Sequence, residues 1–246
     1  MTKTNILILA AATQGEAVNK SPYPVCLTET DGVSLIERIV QNCKGIENAS
    51  FTYAMLEEEV RKFHLDNVVE LLTPGARIVK VQKGTLGSGC TSLLAAATIP
   101  GDEELLVVSG NELVDVDLAE IVKDFRERGL DAGTLTFQSI HPRYSFVKLT
   151  DEGEVIEAAQ QNPISRNATT GVFWFRCAGR FVEAVKSMIN KGASTGDAYY
   201  VAPAFNELLL AQAKIGVTPI DPAKYMPLKN DRQVAAFETS HMGYAA

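Results

Sequence analysis

The sequence predicts an α/β fold, a single domain of three layers (α/β/α) with helices on both faces of a mixed, mostly parallel sheet. Apolar, strand-like runs alternate with amphipathic helical segments over the first half of the chain, which is typical of strand-helix-strand units. The run at 6–10 is apolar throughout, as expected for a central strand buried on both faces. At 246 residues, the chain is long enough to form one large α/β domain.

In the first half of the chain, predicted strands and helices follow one another in turn. Helices are predicted where apolar residues recur at helical spacing, as at Leu35, Ile36 and Ile39. Asp117 is predicted to cap a helix, because its side chain can accept a hydrogen bond from an amide of the first turn. The strands are predicted at 6–10, 51–55, 77–82 and 104–109, and the helices at 34–42, 57–64, 91–98 and 118–128.

After residue 133 the pattern changes to short strands in succession. A tight turn is predicted at 151–153, where Asp and Glu precede Gly153. Strands that follow one another in this way are usually antiparallel. Strands are predicted at 133–139, 146–149, 155–159, 170–175 and 217–220, helices at 181–190 and 204–213, and a final segment at 232–238.

Composition and charge restrict the class of ligand. The net charge of -7 argues against a nucleic-acid backbone or an anionic membrane as main partner, since both attract clustered Lys and Arg. No apolar segment approaches the ~20 residues needed to cross a bilayer, and the N-terminus lacks the features of a signal peptide. No Cys-x-x-Cys pair is formed by Cys26, Cys43, Cys90 and Cys177. We therefore expect a cytoplasmic protein with free thiols and small-molecule ligands.

Several short motifs occur in a defined order along the chain. Ile-Leu-Ile-Leu-Ala-Ala-Ala at 6–12 is followed by Tyr-Pro-Val-Cys-Leu at 23–27 and Asp-Gly-Val-Ser-Leu-Ile-Glu at 31–37. Further along come a Gln and small-residue loop at 82–89, Val-Val-Ser-Gly-Asn at 107–111, Gln-Gln-Asn-Pro at 160–163 and Thr-Gly-Val-Phe at 170–173. In this order they resemble the Ala-Ala-Gly, Pro-Lys-Pro-Leu, Gly-x-Pro-Leu-Ile, base-binding Gln, Gly-Asp, Glu-Lys-x-Pro and Thr-Gly-Ile-Tyr motifs of the sugar-nucleotide pyrophosphorylases.

This resemblance implies a fold and an activity. The fold would be nucleotide-diphospho-sugar transferase-like, of GT-A type, in one domain spanning 1–246, with a nucleotide-binding half at 1–133 and an acceptor-binding half at 134–246. The activity would be transfer of a nucleotidyl group, with CTP as the suggested donor, from a nucleoside triphosphate to a sugar phosphate or other small phosphorylated acceptor. Mg²⁺, weakly held, would be the cofactor, and a homo-oligomer is left open. The stretches at 145–149 and 199–207 resemble the branch of this family found in capsule and surface-polysaccharide pathways.

The resemblance also implies roles for individual residues. Catalysis is assigned to Lys20, Asn111 and Glu112, and metal binding to Asn111, Glu112 and Asp197. Acceptor binding is assigned to Arg143, Lys148, Gln160, Gln161, Thr170 and Gly171. Nucleotide binding is assigned to Ala10, Ala11, Ala12, Thr13, Gln14, Gly15, Gln82, Thr85, Gly87, Ser88 and Gly110.

Charged positions of the family are uncharged in this chain. Tyr23 stands in place of the Lys of Pro-Lys-Pro, which leaves Lys20 as the nearest cation, and Asn111 stands in place of the Asp of Gly-Asp. Gln160 and Gln161 replace the Glu-Lys pair. A lost cation or oxyanion-type donor typically costs ~10²–10³ in rate. Because Tyr23 and Asn111 replace charged groups, we also expect weak nucleotide binding with a shallow dependence on Mg²⁺.

Two other functions stay open. One is a glycosyltransferase that uses a nucleotide-sugar, with carboxylates at 112, 115 or 117 binding Mn²⁺. The other is a catalytically inactive nucleotide-binding or regulatory homologue. Structural roles also compete with some assignments: Lys148 as a solvated strand residue, Asp197 as a turn residue and Trp174 as a core residue. For any of these functions, the ligand is expected at the strand ends near Ala10, Gln82 and Gly110.

Overall fold

A nine-stranded sheet forms the centre of the computed structural model, which describes residues 2–11 and 23–240. The strands, in chain order, are β1 (Thr4–Leu9), β2 (Glu29–Thr30), β3 (Val33–Ser34), β4 (Ala49–Leu56), β5 (Arg77–Val81), β6 (Glu104–Ser109), β7 (Glu112–Val114), β8 (Ala132–Gln138), β9 (Ser145–Leu149), β10 (Val155–Gln160), β11 (Asn167–Phe175), β12 (Ile215–Pro219) and β13 (Tyr225–Pro227). The helices are α1 (Leu35–Cys43), α2 (Glu57–Phe63), α3 (Leu65–Leu72), α4 (Gly87–Ala96), α5 (Leu118–Glu127), α6 (Ala178–Asn190), α7 (Ala204–Leu210) and α8 (Asp231–Glu238).

The central sheet has a parallel part and a mixed part that meet at β11. Strands β5, β4, β1 and β6 lie side by side and run parallel. Strand β11 pairs antiparallel with β6 on one side and with β8 on the other, and β12 runs parallel to β8. The β9–β10 hairpin joins β11 through the pairing of Ala168 with Phe146. Since β10 and β11 alone run against the other described strands of this sheet, the predicted mixed, mostly parallel arrangement is confirmed.

Helices cover both faces of the sheet, as β1 illustrates. Ile6 and Ile8 pack into one apolar cluster with residues of α1, α3 and α5. Leu7 points the other way, into a second cluster with residues of α4, α6 and α7. Alternation along a strand sends neighbouring side chains to opposite faces, so an unbroken apolar run is required here. Trp174, predicted in the core, is fully buried.

Most predicted boundaries lie close to the observed ones, and α4 differs most among the predicted helices. It begins at Gly87, four residues before its predicted start at 91. The cause is local packing, because a Cβ on Gly87 would lie 3.0 Å from the Tyr199 carbonyl carbon and closer still to its oxygen. Glycine therefore occupies a helix start that periodicity alone does not reveal. The predicted cap of α5 is confirmed, since the Asp117 side chain accepts a hydrogen bond from the Ala119 amide at 2.9 Å.

The short strands β7 and β13 were not predicted from the sequence. They pair antiparallel, with Tyr225 opposite Val114 and Pro227 opposite Glu112. Each has three residues, too few for an alternation pattern to be recognised. Their pairing places the C-terminal segment of the described chain beside the end of β6.

The four cysteines are unpaired, and burial separates them into two classes. Burial raises the pKa of the Cys26 thiol and of the Cys43 thiol to about 12. At pH 8 we expect iodoacetamide to modify Cys177 and Cys90 in the folded protein before Cys26 and Cys43, because only ~10⁻⁴ of a thiol with that pKa is thiolate. Peptide mass spectrometry over a time course measures this order. Early labelling of Cys26 would contradict it.

None of the described helices has the length and hydrophobicity required to cross a membrane.

Candidate functional site

A cleft of ≈ 1210 Å³ opens at the carboxyl ends of the parallel strands. Ala10 after β1, Gln82 after β5 and Gly110 after β6 all line it, as expected from the strand ends. The same cleft continues along β9, β10 and β11, where Ser145 and Thr170 line it. One open space therefore connects the parallel part of the sheet with its mixed part.

The residues predicted to bind nucleotide divide into three groups. Those that line the cleft are Ala10, Ala11, Gln82, Thr85, Ser88 and Gly110. Gly87 is not among the lining residues and instead packs against Tyr199, so its glycine serves the packing of α4. The remaining ones, Ala12, Thr13, Gln14 and Gly15, lie outside the described residues, as does Lys20.

An aromatic and cationic rim borders the part of the cleft where nucleotide binding is predicted. The rings of Tyr23 and Phe63 lie 5.5 Å apart, and Lys62 Nζ lies 4.8 Å from the centre of the Phe63 ring. Lys83 pairs with Glu58, whose hydrogen bond and charge raise the pKa of the exposed lysine. Sequence reasoning predicted the charged helix that carries part of this rim but gave its side chains no role.

A second feature of this side is the Gln82 amide, which donates a hydrogen bond to the Glu57 carboxylate. Burial, followed by the charge of Glu58, raises the pKa of the neighbouring Glu59, which also lines the cleft. The bond to Glu57 uses one N–H of the Gln82 amide, whose carbonyl oxygen and second N–H can still bond a base in the cleft.

The end of β6 brings backbone and polar side chains into close contact. The Gly110 amide donates to the Leu9 carbonyl at 2.8 Å, and a Cβ on Gly110 would lie 2.7 Å from that oxygen. Only glycine allows this approach of β6 to the end of β1. Ser109, the last residue of β6, donates from Oγ to Asn111 Oδ1 at 2.6 Å, and the Leu228 amide donates to the Asn111 carbonyl at 2.8 Å.

Glu112 is a buried carboxylate that lines the cleft, with 5% of the residue exposed. Tyr225 donates its hydroxyl hydrogen bond to Glu112 Oε2, and Lys229 Nζ lies 3.5 Å from Oε1. Burial, and then the negative charge of Glu112, hold the pKa of Tyr225 well above its ordinary value. The tyrosine therefore stays protonated and remains a donor to the carboxylate.

Gly171 provides the space for that carboxylate. A Cβ on Gly171 would lie 2.8 Å from the Glu112 carboxyl carbon and closer still to its Oε1 and to Ser109 Cβ. Gly171 was predicted to contact the acceptor, and it does line the cleft. Its lack of a side chain also has a packing role that sequence reasoning missed.

The part of the cleft where acceptor binding is predicted contains most of the residues assigned to it. Arg143, Gln160, Gln161, Thr170 and Gly171 line the cleft. The Arg143 guanidinium lies 5.2 Å from the centre of the Tyr144 ring, and Ser145 Oγ donates to Gln160 Oε1. Gln161 adopts a left-handed backbone conformation with φ of 56°, and its backbone N–H donates to the Tyr144 carbonyl at 2.9 Å.

Two predicted residues are placed elsewhere. Lys148 is exposed and is not among the cleft-lining residues, because three positions along β9 from Ser145 the side chain points to the other face. Asp197 is exposed between Thr195 and Ala198, which form an isolated bridge, and it is also absent from the lining. These placements match the strand-surface and turn alternatives for Lys148 and Asp197.

The charges that line the described part of the cleft nearly balance. The cations are Lys62, Lys83, Arg143 and Lys229, and the carboxylates are Glu58, Glu59 and Glu112. The motifs of this chain lack the family's cations, but these four residues bring positive charge to the cleft from other positions in the sequence. Lys229 escaped sequence reasoning because nothing close to it in sequence marks it as a site residue.

The donors near Asn111 do not suit Mg²⁺. Over residues 2–11 and 23–240, no group of three or more His, Cys, Asp or Glu side chains could hold a metal ion. Mg²⁺ is usually held by one or two carboxylates together with substrate phosphates. Here the Glu112 carboxylate already accepts from Tyr225 and lies beside the ammonium of Lys229, while Asn111 Oδ1 accepts from Ser109.

Comparison with known proteins identifies the fold. No protein-family model matches the chain, and no curated protein matches it. The nucleoside-diphosphate-sugar pyrophosphorylase from Vibrio cholerae RC9 is similar in structure, with a TM-score of 0.76 and 18% sequence identity over 96% of this chain and 100% of that one. A putative glucose-1-phosphate thymidylyltransferase from Bacillus anthracis, in complex with a sucrose, has a TM-score of 0.72 and 15% identity over 98% of both chains. The chain therefore has the α/β fold of these nucleotidyltransferases.

Proposed function

We propose that this protein transfers a nucleotidyl group from a nucleoside triphosphate to a small phosphorylated acceptor. The observation that carries the proposal is the single cleft of ≈ 1210 Å³ that reaches from the ends of β1, β5 and β6 to β9, β10 and β11. Pockets for one small ligand commonly enclose ~300–1,000 Å³, so the space suits two substrates side by side. The nucleotide would lie in the 1–133 half and the acceptor in the 134–246 half.

In this reaction an oxygen of the acceptor phosphate attacks the α-phosphorus of the triphosphate. A new phosphorus–oxygen bond forms, the bond between the α- and β-phosphates breaks, and pyrophosphate leaves. Such a transfer depends mainly on in-line positioning and on positive charge near the phosphates. Ala10 and Gly110 line the cleft at the ends of β1 and β6, where the phosphates would lie.

The finer parts of the proposal rest on the motif order. CTP as donor, a sugar phosphate as acceptor and a place in capsule or surface-polysaccharide synthesis are supported by the resemblance of the motifs. A cytoplasmic location is supported by the four free cysteines. The Mg²⁺ that the resemblance implies stays a prediction, and no step is assigned to it because the described donors do not suit it.

The test is release of pyrophosphate. The protein is incubated with ATP, CTP, GTP, UTP or dTTP and a panel of sugar 1-phosphates, and pyrophosphate is measured with a coupled assay. We expect release that requires both substrates. A protein that binds none of these nucleotides would contradict the proposal.

On the acceptor side, Arg143→Met should lower kcat/KM for the phosphorylated acceptor by about 10- to 100-fold, because it removes a charge-assisted hydrogen bond. Arg166→Met is the matched control, since Arg166 is exposed and does not line the cleft. Equal activity of the two variants would show that Arg143 does not bind the acceptor phosphate.

A second candidate function is nucleotide binding without turnover. It is favoured by the contacts of Glu112 with Tyr225 and Lys229, because the Lys229 ammonium already balances the charge of this carboxylate and disfavours a second cation beside it. Binding of a triphosphate that raises the melting temperature, with no pyrophosphate released for any acceptor in the panel, would support this candidate over transfer.

A further inference from the structure

We infer that the Lys229 ammonium, held in place by Glu112 at the end of β6, binds the phosphate groups of the nucleotide and supplies positive charge to them without a metal ion. This inference rests on the proposed function, because it assumes that a nucleotide occupies the cleft. It adds a binding residue and a metal-independent mode of phosphate recognition.

The backbone fixes Lys229 beside the strand end where phosphates are expected. The pairing of β13 with β7 places Pro227 opposite Glu112. The next residue, Leu228, donates its amide to the Asn111 carbonyl at 2.8 Å. The Lys229 amide then donates to Gln233 Oε1 at 3.0 Å. These contacts hold the backbone of Lys229 and of the two residues before it in place.

Burial distinguishes Lys229 from the other cations of the cleft. Lys62, Lys83 and Arg143 are exposed, whereas the Lys229 side chain is 30% exposed. Interactions between charges strengthen as water is excluded, so a half-buried ammonium attracts phosphate more strongly than an ammonium at the rim. Screening by salt is also weaker at such a position.

Glu112 positions the ammonium without using its donors. The distance of 3.5 Å between Lys229 Nζ and Glu112 Oε1 is that of an ion pair and exceeds the range of a good hydrogen bond. The N–H groups of the lysine can therefore turn toward a phosphate. Glu112 itself cannot turn away easily, because Tyr225 bonds its other oxygen and Gly171 leaves only a narrow space for it.

The experiment measures nucleotide affinity with and without metal. ATP, CTP, GTP, UTP and dTTP are each titrated calorimetrically into the wild-type protein, once with Mg²⁺ and once with EDTA. The nucleotide that binds is then titrated into Lys229→Met, Lys229→Arg and Lys186→Met. Lys186 is the matched control, because it also pairs with a glutamate, Glu183 at 2.9 Å, but is exposed and lies outside the cleft lining.

We expect wild-type binding to persist in EDTA, a loss of about 10- to 100-fold in affinity for Lys229→Met, near-retention for Lys229→Arg and no change for Lys186→Met. Melting temperatures check that each variant is folded, and a Lys229→Gln variant replaces Lys229→Met if the latter does not fold. Binding that is lost in EDTA, or unchanged in Lys229→Met, overturns the inference and leaves the proposed function standing. Failure of every nucleotide to bind overturns the proposed function and the inference with it.

Discussion

Gly171→Ala is expected to displace the Glu112 carboxylate and disable the cleft. The added Cβ would lie 2.8 Å from the Glu112 carboxyl carbon, a separation that real Cβ atoms essentially never show. Gly171 itself lies in an irregular stretch of β11, but the pairing of Thr169 with Thr136 and of Val172 with Val108 holds the strand on both sides of it, which limits movement of its backbone. The carboxylate must therefore move, weakening its contacts with Tyr225 and Lys229. We expect the free energy of unfolding to fall by about 1–3 kcal/mol and nucleotide affinity to fall by about 10-fold or more.

Chemical denaturation and calorimetric titration measure these two effects separately. Gly101→Ala is the matched control, because a Cβ there has its nearest contact at 3.5 Å, with Gly179 Cα. The control should retain wild-type stability and affinity. Wild-type values for Gly171→Ala would mean that Glu112 does not occupy the space beside β11.

Arg126→Met is expected to cause a large loss of stability at the other end of the sheet. Glu104, with 3% of the residue exposed, accepts hydrogen bonds from Arg126 Nε at 2.9 Å and Nη2 at 2.6 Å. Thr4 Oγ1 donates to the same carboxylate at 3.0 Å. Removing the arginine leaves a buried carboxylate without its cation, so we expect the free energy of unfolding to fall by about 3 kcal/mol. This is the lower end of the usual range for such a loss, because Arg126 is partly exposed.

Calorimetry should show a drop in melting temperature of roughly 6–12 °C for Arg126→Met. Nucleotide binding should not change, because Glu104 and Thr4 begin β6 and β1, at the opposite end of these strands from the cleft. Arg128→Met is the control, since Arg128 forms a more exposed pair with Asp124 at 3.0 Å, and such pairs contribute ~0–1 kcal/mol. Equal drops in melting temperature in the two variants would show that the pair of Arg126 with Glu104 stabilises the protein no more than an exposed pair does.

Features that depend on neighbouring residues could be predicted well. The apolar run of β1 must be buried on both faces, and its alternating side chains do enter the two clusters. Asp117 caps α5 because the amide that it binds is only two residues away. The strand ends at Ala10, Gln82 and Gly110 meet at one cleft because parallel strands align their carboxyl ends.

Roles that depend on strand register could not be predicted from single motifs. The motif order suggested Lys148 for the acceptor site, but its position on β9 sends the side chain to the other face. Gly171 lies beside Ser109 and Glu112 because β11 pairs with β6, with Val172 opposite Val108. A shift of one residue in such a pairing would reverse every side chain, and the sequence alone does not specify that register.

By itself the sequence determined the α/β layers, the order of the longer strands and of most helices, and the loops that end the central strands, because these follow from hydrophobic periodicity and local capping. Only the tertiary structure decided the surroundings of Glu112. Tyr225 and Lys229 reach it through the pairing of β7 with β13, two short strands that are far apart in the chain. Tyr225 and Glu112 are 113 residues apart in the chain, so the charge around Glu112 depends on packing between distant segments.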